Sequence, residues 1–100
     1  MCHMIADTEA ELHAMAVRIG VPPRAHHGDH YDIARSKRTM ALRAGAREVT
    51  QRQLAAMLWL WHNGQAMGEP QTAVERMTAA RAALGRAVRG RHDYDRRARA

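Results

Sequence analysis

Two segments of the chain open with the same helix-starting signature, and this pattern constrains the fold more than any other feature. Thr8 with Glu11, and Thr50 with Gln53, each spell a capping box, in which two side chains three residues apart satisfy each other's free backbone N–H groups. Leu12, Met15, Ala16 and Ile19 follow the first at i, i+3, i+4 and i+7, giving one apolar helical stripe. Gly20 and the Pro22-Pro23 pair end that helix. Leu54, Met57, Leu58 and Trp61 repeat the spacing behind the second box, up to Asn63-Gly64.

The remaining segments are arranged around these two helices. Cys2 to Ala6 form a short apolar run that reads as a buried strand, broken by Asp7-Thr8. Residues 21–32 are rich in Pro, His, Gly and Asp and read as a loop, with a short strand at His30-Tyr31-Asp32-Ile33. Ser36 is the expected cap of a helix through Ala44, with Met40, Ala41 and Ala44 inward, Lys37, Arg38 and Arg43 outward, and Gly45 as its stop. Residues 46–49, centred on Val49, read as another short strand. A fourth helix follows Glu69-Pro70 and uses Val74, Met77, Leu84 and Val88. The sum is an α/β or α+β fold, mostly helical, with about four helices and two or three short strands. One small domain is expected over residues 1–89, and a basic, flexible tail over 90–100.

Composition narrows the function. A chain of 100 residues suffices for one domain that buries roughly 65 % of its unfolded surface. It has no Phe, so Leu, Met, Val, Ile and Ala build the core. Cys2 is the single cysteine, which excludes an internal disulfide and a Cys-rich zinc site and suits a reducing compartment. No run approaches a membrane span, and Met1 to Leu12 has neither a basic leader nor an apolar signal region. A cytoplasmic protein is expected.

The residues between His26 and Asp32 carry the most chemistry. His26, His27, Asp29, His30 and Asp32 offer five potential ligands, and imidazole with carboxylate suits zinc, manganese or iron. So short a stretch cannot turn all five inward. His30 and Asp32 are the preferred pair, because alternate residues of a strand share a face. Partners from other segments would be His3, Asp7 and His13, making one divalent metal the alternative to no cofactor. In the plainer reading Asp32 bonds the turn and His30 is a packed loop histidine. Cys2 in an apolar run and Ser36 with no base beyond His30 give nucleophilic catalysis little support. No glycine-rich phosphate loop of the Walker type is present.

The net charge is +6, concentrated after residue 80, where seven arginines face two aspartates. Arg86, Arg89, Arg91, Arg96 and Arg97, with Arg35, Lys37, Arg38 and Arg43 of the second helix, form the candidate set for phosphate or partner contacts. A solvated mixed-charge face is the plainer reading. Trp59 and Trp61 cannot share one helical face, so one of them is exposed or held at an interface, including that of a homodimer. A helix-turn-helix reading of Val49 to Trp61 fails, because a strand rather than a first helix is expected before it.

The segments Met1 to Gly20, Gly28 to Ala46 and Glu48 to Met57, in that order, resemble a family of small phage and bacterial proteins catalogued as domain of unknown function four-thousand-and-thirty-one. The resemblance covers about residues 1–57 and lies in the order of the motifs. Family members continue upstream into a strand with an aspartate pair, which this chain lacks, so any site that needs those acids would be incomplete here. They carry aromatic residues and Gln where this chain has Ala25, His26 and His27, which leaves His3, Asp7, His13, His30, Tyr31, Asp32, Ser36, Lys37 and Arg38 as the matching polar set.

The resemblance implies a phage or mobile-element context, in a host cytoplasm, and supplies no established activity to carry over. The leading expectation is therefore an accessory, anti-defence type of protein that binds nucleic acid or a host nucleoprotein complex, an anti-CRISPR role included. The alternative is a small metal-dependent phosphoester hydrolase or nuclease with His30 and Asp32 as its catalytic residues.

Overall fold

The computed structural model describes residues 1–99, and side chains through residue 87. In chain order the elements are β1 (Cys2–Met4), α1 (Glu9–Ile19), β2 (His26–His27), β3 (His30–Ile33), α2 (Arg35–Arg43), α3 (Gln51–His62) and α4 (Pro70–Arg99), with a 3-10 turn at Pro23–Ala25. The three strands form one antiparallel sheet in the order β1-β3-β2, so the fold is α+β. Among the described residues, no helix is long and apolar enough to cross a membrane.

Each capping signal starts its helix where it stands. Thr8 Oγ1 accepts from the Glu11 N–H at 3.1 Å and opens α1. The reciprocal bond forms only at the second box, where the Gln53 side chain accepts from the Thr50 N–H at 3.0 Å while Thr50 Oγ1 accepts from the Gln53 N–H at 3.1 Å. Gly20 closes α1 in the left-handed region at φ 76°, and the Val21 N–H reaches back to the Ala16 carbonyl at 2.8 Å. This is the helix stop that only a residue without Cβ accepts readily.

Two apolar clusters result. Leu12, Ala16 and Ile19 of α1 pack with Met4, Tyr31 and Ile33 of the sheet and Ala41 of α2. Ala56, Met57 and Leu60 of α3 pack with Met67 and Ala73, and Ile5 reaches this second cluster from the end of β1. A cleft of about 570 Å³ runs between the two, lined by β1, the ends of α1 and α2, and the connector into α3.

Several sequence expectations are corrected. Residues 46–49 form no strand. Val49 is the one β-branched residue there, and the flanking side chains are drawn into ion pairs, Glu48 with Arg38 at 2.5 Å and Arg47 with Glu69 at 3.0 Å. α2 starts at Arg35 with Ala34 as its N-cap, because β3 runs directly into it, and Ser36 stands exposed in the first turn. Of the three residues expected inward on α2 only Ala41 is buried, and Met40 is 42 % exposed. Leu84 of α4 is 48 % exposed because it lies beyond the stretch of α4 that packs on α3. The loop expected over 21–32 contains β2. Val88 and the expected tail at 90–100 lie outside the residues whose side chains are described.

Candidate metal centre on the sheet

Strand alternation divides the sheet into two chemically different faces. Tyr31 and Ile33 of β3 turn into the first core, so His30 and Asp32 turn the other way. Register then adds to that second face. His3 of β1 stands opposite Asp32, and His27 of β2 stands opposite His30. The β2–β3 turn contains only Gly28 and Asp29, with Gly28 at φ 70°, a backbone sign that suits tight hairpins.

The Asp32 carboxylate is the centre of this face. His3 Nε2 lies 3.1 Å and His30 Nε2 3.4 Å from its Oδ1, and His27 Nε2 lies 3.1 Å from its Oδ2. The rings of His3 and His30 lie close, with centroids 4.4 Å apart. Behind His30, the Nδ1–H donates to Asp29 Oδ1 at 2.7 Å. Asp29 in turn accepts from His62 Nε2 at 2.5 Å. Burial raises the Asp29 carboxyl, but hydrogen bonds from His30 and then His62, with the charges of both rings, outweigh it and hold the group below its ordinary value.

Chemically, His3, His30 and Asp32 form a donor set of two imidazoles and one carboxylate with one ligand atom from each within 4.8 Å of the others. Tetrahedral ligands around zinc stand about 3.3 Å apart when the bonds are near 2.0 Å, close to the His3–Asp32 and His30–Asp32 separations of 3.1 and 3.4 Å. Three protein ligands would leave a coordination position for water or substrate. Asp29 occupies the place of the carboxylate that fixes the tautomer of a metal-bound histidine.

Other candidates lie elsewhere. Asp7 lines the cleft between the cores and is not among the residues whose ligand atoms converge with Asp32. His13 shares a hydrogen bond of 2.5 Å with the Tyr31 hydroxyl, on the core side of β3. Arg38 is held by Glu48, whereas Arg35, Lys37, Arg43 and Arg86 make no ion pair among the described residues. Arg89, Arg91, Arg96 and Arg97 lie outside the residues whose side chains are described. Trp59 packs against the second core and Trp61 is 36 % exposed, as their two-residue spacing requires.

His27 and Asp29, which lie outside the pair preferred from sequence, and His62, which the sequence does not point to, all join the cluster. Gly28-Asp29 between two short runs is a hairpin signal that would have brought His27 opposite His30. No local signal points to His62, which arrives from another helix.

These features define a small α+β domain whose antiparallel sheet carries apolar residues on one face and a histidine–aspartate cluster on the other. The chain belongs to the family described as Protein of unknown function (DUF4031), whose model matches residues 1–60 and so takes in the sheet, α1, α2 and most of α3. No curated protein and no solved structure matches the chain.

Proposed function

We propose that this protein binds one divalent metal through His3, His30 and Asp32 and uses it in phosphoester hydrolysis. The observation that carries this reading is the approach of two imidazole Nε2 atoms, from different strands, to one oxygen of Asp32, with His30 oriented from behind by Asp29. His3, His30 and Asp32 would hold the ion, which when bound would supply Lewis acidity that lowers the pKa of a coordinated water. The protein's own part is to present three ligands, to hold the His30 tautomer and to supply positive charge for a phosphoester. Arg35, three residues beyond Asp32 in sequence, is the residue assigned that part in this reading, standing at a helix N-terminus with no side-chain cap.

Elemental analysis of the purified chain, with His30→Ala beside it, tests the reading. Loss of about one metal equivalent per chain in the variant relative to the wild type, together with hydrolysis of bis-p-nitrophenyl phosphate in the presence of manganese or zinc, supports it. Metal-free protein that takes up none from manganese or zinc solutions removes it.

A second reading, an accessory protein of a phage or mobile element that binds nucleic acid or a nucleoprotein complex in a host cytoplasm, is favoured by one observation. Arg35, Arg43 and Arg86 are exposed and without ion pairs among the described residues. Binding to DNA or RNA would then weaken by orders of magnitude between about 50 and 200 mM salt. Affinity that stays flat over that range argues for a protein partner, for which the exposed Trp61 is the natural anchor.

A further inference from the structure

A second cluster of side chains of metal-ligating type lies on the core side of β3. Glu9 and His13 stand four residues apart on α1 and therefore share one helical face. His26 of β2 lies across from them, its ring centroid 4.7 Å from that of His13. One ligand atom from each of the three residues lies within 4.8 Å of the other two.

Two details set this cluster apart from a chance grouping. His26 Nε2 is buried without any hydrogen-bond partner, whereas buried polar atoms in folded proteins are almost always paired. In the tautomer that carries its proton on Nδ1, an imidazole placed in this way offers the Nε2 lone pair to a cation. His13 is also oriented, because the Tyr31 hydroxyl engages its Nδ1 at 2.5 Å, which leaves Nε2 as the free donor. Tyr31 is 3 % exposed and packs its ring against His26 at a centroid distance of 5.0 Å, so it fixes both histidines from beneath.

We infer that Glu9, His13 and His26 bind a divalent cation of the zinc type, at a site separate from His3, His30 and Asp32 and independent of it. Two imidazoles and a glutamate, two of them four residues apart on a helix and the third from another element, form a donor set that zinc accepts with a water in the remaining position. The ion satisfies His26 Nε2 and pins α1 to the β2–β3 hairpin. Glu9 and Glu11 in the first turn of α1 offset the positive end of the helix dipole, which would otherwise oppose a cation there.

Titration of the full metal-free chain with cobalt(II), followed by visible absorption, separates the two sites. The expected stoichiometry is two in the wild type, one in His26→Ala and one in His30→Ala. Glu9→Gln, on the exposed surface of α1, keeps the fold and is expected to weaken one of the two sites by about tenfold or more. If His26→Ala and Glu9→Gln both bind cobalt as the wild type does, the inference is overturned and a water completes His26. Loss of an equivalent in His26→Ala with none lost in His30→Ala upholds this site and removes the one proposed above; the converse removes this one alone.

Discussion

His62 Nε2 donates to Asp29 Oδ2 at 2.5 Å across 33 positions of sequence, tying the end of α3 to the β2–β3 turn. Asp29 is thereby held in the position from which its other oxygen accepts from His30. His62 is a positioning residue for the proposed metal ligand. His62→Ala is expected to weaken cobalt or zinc binding at the His30 site about tenfold, measured by titration calorimetry, with partial recovery in His62→Gln. Unchanged affinity in His62→Ala would reduce the bond to a surface contact.

Acid should reveal Asp29. Burial raises its carboxyl and the hydrogen bonds and charges of His30 and His62 lower it, leaving it below the ordinary value of 3.8. A carboxyl depressed in the folded state contributes stability that is full above 3.8 and is lost as pH falls through the folded value. In the metal-free protein, Asp29→Asn is expected to flatten the decline in thermal midpoint between about pH 5 and 2. An equally steep decline in the variant would mean that other carboxylates carry it.

Arg76 binds the α3–α4 connection to α4. Its guanidinium donates to the carbonyls of Ala66, Met67 and Glu69 at 3.1, 2.5 and 2.9 Å, and its Nε to Thr72 Oγ1 at 2.9 Å. Gly68, at φ 60°, leaves room for it, since a Cβ there would stand 2.8 Å from Arg76 Nη2. Arg76→Ala is expected to cost about 1–3 kcal/mol in urea unfolding, and Gly68→Ala to destabilise through both the backbone and the displaced guanidinium.

The second core depends on Leu60, which is 2 % exposed. Leu60→Ala should cost about 2–5 kcal/mol through lost burial and the cavity left behind. Val17, 79 % exposed on α1, is the control, and Val17→Ala is expected to stay within about 0.5 kcal/mol. Equal effects from the two would contradict the packing described here.

Much of this protein follows from local pattern. Thr8 and Thr50 start their helices because a hydroxyl that satisfies a free N–H acts within one turn of chain, and Gly20 stops α1 because its φ of 76° is a property of that residue alone. The shared face of His30 and Asp32 follows from the two-residue period of a strand. Register is another matter. His3 meets Asp32, and His27 meets His30, only because β1 and β2 pair with β3 at those positions, and His62 reaches Asp29 only because α3 lies where α4 and Met67 hold it. The same limit explains residues 46–49, where Val49 suggests a strand but Glu48 and Arg47 pair with Arg38 and Glu69 from other segments. Caps, stops and faces are set by interactions a few residues long and are visible in the chain. The convergence of ligands from β1, β3 and α3 is set by packing between distant segments, and only the folded structure decides it.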